Sequence, residues 1–166
     1  MPSSTELIKE LREKTGAGIM ECKRAIEDAT GDLARAEQLL KERGLAKAAK
    51  KVGREANQGI VDSYIHAGGR IGALVEVNCE TDFVARNEAF RALVHEIAMQ
   101  VAAMNPSRVS ADDPSADGAE SDVPLLDQPF IRDGSKTIRD LVTEGIAKLG
   151  ENIVIRRFAR FELGGQ

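Results

Sequence analysis

The hydrophobic period of this chain changes twice before Asn105, and that change restricts its fold more than any other feature. Apolar residues recur every three or four positions up to Gly44, alternate from Gly59, and return to helical spacing from Phe90. Helices, then a hairpin, then a helix to cover it is the order this pattern dictates. In the alternating part, Ile60 to His66 leads through Gly68-Gly69 into Arg70 to Cys79, with Ile71, Ala73, Val75, Val77 and Cys79 on one face. This spacing predicts a β-hairpin around a Gly-Gly turn.

Three short amphipathic patterns precede it. The first carries Leu7, Ile8 and Leu11, opens with Ser3 and Glu6 at capping-box spacing and stops at Thr15-Gly16-Ala17-Gly18. The second presents Ile19, Cys22, Ala25, Ile26 and Ala29 and breaks at Thr30-Gly31, after which Asp32 can cap the third. That third pattern holds Leu33, Ala36, Leu39 and Leu40, and Gly44 reads as its stop. Residues 1–44 are therefore expected to form a three-helix module and residues 45–58 a basic helical connector. The basic run itself spans Lys41, Arg43, Lys47, Lys50, Lys51 and Arg54.

Residues 59–166 are expected to form one α+β domain. Phe90, Leu93, Val94, Ile97, Ala98, Val101 and Met104 predict a long helix closed by Asn105-Pro106. Residues 106–134 hold four of the five prolines, and six acids (Asp112, Asp113, Asp117, Glu120, Asp122, Asp127) face Arg108 alone over residues 106–128. Such composition predicts an exposed, partly disordered loop, from which Leu125, Leu126, Phe130 and Ile131 return the chain to the core. Ser135 is placed to cap a helix bearing Ile138, Leu141, Val142, Ile146 and Leu149, with Gly150 as its stop. A last strand, Asn152 to Leu163, puts Ile153, Ile155, Ala159, Phe161 and Leu163 on a face that Arg157 interrupts. The expected fold is α+β: a three-helix bundle followed by a small antiparallel three-stranded sheet packed with helices.

Little in the chain suggests chemistry. Cys22 and Cys79 stand far apart and His66 and His95 are the only histidines, so zinc and haem sets are disfavoured. No phosphate loop, dinucleotide fingerprint, zincin motif or nucleophile elbow occurs. Thr15-Gly16-Ala17-Gly18 follows a helical pattern where a phosphate cradle follows a strand. His66 and His95 have no acid or cysteine at catalytic spacing in the sequence. No apolar run approaches the ~20 residues of a membrane helix, and the first residues lack a signal-peptide core. A cytoplasmic, reducing setting is the expectation. The net charge of −4 gives no reason to expect nucleic-acid binding. The basic run and Arg156, Arg157 and Arg160 keep an RNA- or ribosome-associated module open, and the three-helix module keeps open a pure scaffold that binds ubiquitin-like partners.

One segment resists this sorting: Glu80-Thr81-Asp82-Phe83-Val84-Ala85-Arg86-Asn87, between the hairpin and the long helix. Its residue types suit two readings. Thr81 or Asp82 caps the helix while Phe83 or Val84 staples it; or an acid beside a large ring projects from a stiff junction into a groove of another protein.

Three stretches resemble a known family. Leu11-Arg12-Glu13-Lys14-Thr15-Gly16-Ala17-Gly18-Ile19-Met20-Glu21-Cys22-Lys23, then Glu76-Val77-Asn78-Cys79-Glu80-Thr81-Asp82-Phe83-Val84-Ala85, then Gly150-Glu151-Asn152-Ile153-Val154-Ile155-Arg156-Arg157-Phe158 are similar, in order and spacing, to elongation factor Ts sequences. That family consists of guanine-nucleotide exchange factors for elongation factor Tu. The resemblance implies a ubiquitin-associated-like module followed by an α+β dimerisation-type domain. It implies that Thr81, Asp82, Phe83 and Val84 intrude beside the partner's magnesium site, displacing the ion so that GDP leaves and GTP loads. It implies that Arg12, Met20 and Lys23, with Ile19 adjoining them, face the partner's nucleotide-binding domain; the plainer alternative is that Arg12 and Lys23 are solvated and Met20 packs at the core or its rim. The partner is then elongation factor Tu, both GDP-bound and nucleotide-free, with no catalytic residue, metal or cofactor in the chain itself. Longer members resemble two related α+β halves with a coiled-coil insertion. This chain has one hairpin and one T-D-F-V segment, which implies a homodimer and a complex with two copies of each protein.

Overall fold

The computed structural model describes residues 3–113 and 122–165. Two compact units divide the chain, Met1–Lys51 and Val52–Gln166. Among the described residues no helix is long and apolar enough to cross a membrane.

The first unit is three helices: α1 (Ser4–Thr15), α2 (Ile19–Asp28) and α3 (Leu33–Ala49). Ser3 and Glu6 close the expected capping box on α1, and Asp32 accepts from the Arg35 amide at the start of α3. Leu11, Cys22, Ala25, Ile26, Ala29 and Ala36 form its core, with Leu7, Ile8, Leu33, Leu39 and Leu40 around them. The expected stop at Gly44 is overturned, because α3 runs through it to Ala49. An internal glycine costs about 1 kcal/mol relative to alanine, and the strong helix formers Leu45, Ala46, Lys47, Ala48 and Ala49 outweigh it. Arg43 pairs with Asp28 and Lys47 with Glu21, tying the extended end of α3 along α2.

The second unit is an antiparallel sheet backed by helices. Strands β1 (Gln58–Ile65), β2 (Ile71–Cys79) and β5 (Ile153–Glu162) lie in the order β1-β2-β5. The hairpin turn carries Gly68 and Gly69 at positive φ, as the Gly-Gly signal predicts. Between β2 and β5 come a single helical turn α4 (Asp82–Ala85), the long helix α5 (Glu88–Met104), a 3₁₀ turn at Leu125–Asp127, a small hairpin β3 (Pro129–Phe130) and β4 (Asp133–Thr137), and α6 (Ile138–Leu149). Phe90, Val94, Ile97, Ala98 and Val101 of α5 are buried, as are Ala73, Val75, Val77 and Cys79 of β2 and Ile138, Val142 and Ile146 of α6.

Three expectations in this unit need correction. The connector holds a hairpin that its polar composition concealed: Gln100, fully buried in α5, donates to Gln128 Oε1 and the Pro129 carbonyl and accepts from the Ile131 amide, so one side chain organises the turn. Leu125 and Phe130 are buried as expected, but Ile131 is exposed, while Val109 joins the buried set. The expected disorder within 106–134 is only partly addressed, because residues 114–121 lie outside the described residues; Ser107 to Asp113 and Asp122 onward are described. The cap of α6 is Thr137, in a capping box with Asp140, and not Ser135, which lies in β4.

The third correction concerns β5. Its register slips by one residue between Glu76 and Val77, where Glu76 faces Arg157 and Val77 faces Ile155, leaving Arg156 as the extra residue of a bulge. A one-residue slip flips every later side chain to the other face. Ile153 and Ile155 point inward, but beyond the bulge Phe158 and Arg160 take the inner positions and Ala159, Phe161 and Leu163 are exposed. Ala159, Phe161 and Leu163 therefore do not share a face with Ile153 and Ile155, contrary to the simple alternation.

Candidate functional site

The site begins where β2 ends. Cys79 is the last residue of the strand, opposite Ile153, and the chain then turns through Glu80 and Thr81 into α4. Thr81 sits in extended conformation as the cap of that turn, its Oγ1 accepting from the Val84 amide at 3.3 Å. Asn87 caps α5 separately through the Ala89 amide, so the junction contains two short capped starts instead of one.

A helical turn sends neighbouring side chains in different directions, and here they divide by polarity of environment. Val84 is 6% exposed and packs inward, whereas Phe83 is 81% exposed. Thr81 is thus a cap and Val84 packs beneath it, while the ring of Phe83 projects into solvent. Asp82 lies beside it and pairs with Arg86 at 3.2 Å on the exposed side. Among the described residues Phe83 is the most exposed of the large apolar side chains.

The turn is pinned from across the sheet. Glu151 Oε2 accepts from the amides of Glu80 and Thr81, each at 3.0 Å, and its Oε1 accepts from the Thr81 hydroxyl at 2.6 Å. In return the Asn152 amide donates to Glu80 Oε1 at 2.7 Å, and Asn152 Nδ2 donates to the Arg54 carbonyl at 2.8 Å. Gly150, at φ 77°, is the left-handed cap of α6 that aims Glu151 at this corner. Cys79 Sγ donates to the Thr81 carbonyl at 3.1 Å; burial first, and then the Glu151 charge, push its thiol pKa up. Both effects favour the neutral thiol over the thiolate.

The expected N-terminal residues are all exposed. Ile19 and Met20 open α2 at 54% and 60% exposure, so packing of Met20 in the core is overturned. Lys23 stands one turn further along the same helix, 3.8 Å from Glu27, and Arg12 is exposed on α1. Lys47 lies against Glu21 at the start of α2 and holds that carboxyl below the usual range.

Other sequence candidates resolve into structural roles. Arg157 donates to Glu76 Oε2 at 2.7 Å, Arg156 lies 3.7 Å from the same carboxylate, and Arg160 donates to the Ala102 carbonyl and pairs with Glu162. These arginines are therefore paired and do not form an open cationic stripe. His95 does have an acid nearby: Asp62 lies 3.4 Å from its Nδ1, brought there by the packing of α5 on β1. Tyr64 meets the His95 ring edge-on and its hydroxyl lies 3.2 Å from His66 Nδ1. Sequence spacing could not show this cluster, since its members come from different elements.

Two further observations bear on what the chain is. A family model described as Elongation factor TS matches residues 13–121 and 80–166. Among curated relatives, Elongation factor Ts of Caldanaerobacter subterraneus subsp. tengcongensis is 50% identical over 97% of this chain and 96% of its own length. Elongation factor Ts of Coprothermobacter proteolyticus is 47% identical over 99% of this chain and 100% of its own. The chain belongs to the elongation factor Ts family. All three stretches that resemble elongation factor Ts fall on the elements just described: the first over α1 and α2, the second along β2 into the Phe83 turn, the third through Gly150 and Glu151 into β5. The second and third meet at the corner where Glu151 holds Thr81.

Proposed function

We propose that this chain is a guanine-nucleotide exchange factor that binds elongation factor Tu·GDP and promotes loss of GDP, so that GTP can load. The observation that carries the reading is the exposed ring of Phe83 on a turn anchored by Val84 beneath and Glu151 beside it. A nucleotide-binding site holds GDP through magnesium and backbone amides around the phosphates. A ring-sized wedge supported by Thr81, Asp82 and Val84 favours a partner conformation in which those contacts are displaced. Arg12, Ile19, Met20 and Lys23 supply a second contact with the nucleotide-binding domain of the partner. No bond is made or broken. Because linkage is reciprocal, rebound nucleotide weakens the grip of the factor by the same ratio and frees it for another cycle. The expected setting is cytoplasmic.

The homodimer is part of this proposal. On the sheet face away from α5, Val61 and Ile65 of β1, Leu74 of β2 and Phe161 of β5 are 65%, 65%, 48% and 74% exposed, with Leu163 just beyond at 66%. Gly72 lies between Ile65 and Phe161 in the register, bringing the two apolar side chains close. A second copy related by two-fold symmetry would cover this face sheet to sheet.

The test is release of fluorescent GDP from purified elongation factor Tu with and without this protein. Acceleration that disappears in Phe83→Ala supports the reading, and acceleration unchanged by that substitution removes the wedge.

A further inference from the structure

We infer that Glu151 is the positioning residue of the Phe83 turn: its carboxylate, arriving from the turn between α6 and β5, sets the cap that aims the ring. This rests on the wedge reading above and extends the part of Glu151 from holding the turn to setting the rate of exchange.

The argument starts from unpaired backbone. The ladder between β2 and β5 ends at Cys79 and Ile153, so the amides of Glu80 and Thr81 lie past its last rung. Two consecutive amides without a strand partner need an acceptor. Glu151 Oε2 serves both, each at 3.0 Å. A carboxylate can take both because it is charged and has several lone pairs, which a neutral side chain does not match.

The second oxygen does something more specific. Thr81 Oγ1 donates to Glu151 Oε1 at 2.6 Å, a short charge-assisted bond, while accepting from the Val84 amide at 3.3 Å. A hydroxyl has one proton. Committing that proton to Glu151 turns a lone pair toward Val84, which is the orientation a helix cap requires. The chain of causes runs from Glu151 to the Thr81 hydroxyl, to the Val84 amide, to the single helical turn, and so to Val84 inward and Phe83 outward. A four-residue turn has little stability of its own, and without this acceptor it keeps packing at Val84 and Ala85, its own backbone bonds and the bond from the Cys79 thiol to the Thr81 carbonyl, none of which fixes the Thr81 hydroxyl.

The contact is reciprocal, which makes it a clamp and not a one-sided prop. The Asn152 amide donates to Glu80 Oε1 at 2.7 Å, and Arg54 lies 3.7 Å from Glu80 Oε2. Each strand end thus satisfies the backbone of the other with a carboxylate. A wedge ordered before binding spends less of its contact energy on being ordered, leaving more to bias the partner. Loss of the clamp therefore lowers the maximal rate of GDP release and leaves docking through Arg12, Ile19, Met20 and Lys23 largely intact.

The test compares Glu151→Ala, Glu151→Gln, Phe83→Ala and the double variant F83A/E151A. It reads maximal GDP release from elongation factor Tu, the factor concentration at half-effect, and amide hydrogen exchange at Glu80, Thr81 and Val84. Glu151→Ala should lower the maximal rate about tenfold, as small misplacements of a positioned group do, with the half-effect concentration nearly unchanged and exchange at the three amides faster. Glu151→Gln keeps an oxygen for the two backbone amides but cannot accept the threonine proton, and should lower the rate about threefold. The double variant should be no slower than Phe83→Ala alone, because Glu151 acts through that ring. A wild-type rate in Glu151→Ala beside an impaired Phe83→Ala overturns the clamp and spares the wedge; an unimpaired Phe83→Ala overturns both. Deficits that multiply in the double variant, or unchanged exchange at Thr81 and Val84, also overturn the clamp. Should Glu151→Ala fail to fold, Glu151→Gln decides by the same readings: a full rate with unchanged exchange at Val84 sinks the inference.

Discussion

Phe83 and Val84 are neighbours with opposite duties, and two substitutions separate them. Phe83→Ala removes a ring that is 81% exposed, so its thermal midpoint should stay within a few degrees of the parent, while exchange activity falls at least tenfold as expected for a central contact residue. Val84→Ala removes buried methyl groups and should lower stability by about 1–2 kcal/mol in urea unfolding. A loss of stability in Phe83→Ala with none in Val84→Ala would reverse the assignment. Val84 also shows a limit of sequence reading at this scale. Phe83 and Val84 are both apolar and both suited to a staple; which of them faces inward depends on the phase of one helical turn, and that phase is set by the Thr81 cap and by Glu151, seventy positions later.

At the level of elements, caps and close approaches decide where pieces begin. Thr137 and not Ser135 caps α6, so Thr137→Ala should cost about 1 kcal/mol and Ser135→Ala less than about 0.5 kcal/mol, read from denaturant midpoints. Gly59, at φ 143°, comes so close to β2 that an added Cβ would lie 2.1 Å from the Val77 carbonyl oxygen. Gly59→Ala must shift backbone against backbone and should lower the thermal midpoint by about 10 °C or more for a unit of this size. Lys47 against Glu21 extends the same logic to charge. The folded-state pKa of Glu21 is depressed, so its contribution is present at neutral pH, above the unfolded value, and is lost as pH falls through the folded one. In Lys47→Ala the NMR titration midpoint of Glu21 should move upward toward the ordinary carboxylate value; an unmoved midpoint would mean that Lys47 does not set it.

For the whole molecule, the exposed sheet face carries the prediction. Phe161→Glu and Leu74→Glu place a charge where the proposed dimer would bury apolar surface, so each should shift the mass in light scattering from dimer to monomer at micromolar concentration. The side chains are exposed in the single chain, so both variants should keep their helical and sheet content by circular dichroism. A parent protein already monomeric under those conditions would contradict the two-plus-two arrangement. Exchange by a monomeric variant would show that each wedge works alone.

The sequence by itself determined the order of the longer elements, the capping box of α1, the Asp32 cap, the Gly-Gly hairpin and the apolar faces of β2 and α5, because each depends on residues within a few positions of one another. It also marked the Phe83 turn as unusual and carried the family resemblance through contiguous motifs. Tertiary structure alone decided that a bulge at Arg156 turns Phe161 to solvent, that Gln100 organises a hairpin in a polar stretch, and that Glu151 meets Thr81. Each of these is settled by a partner far along the chain or by a register between strands. Local propensity carries no information about such pairings, since they exist only once the sheet has brought β2 and β5 side by side.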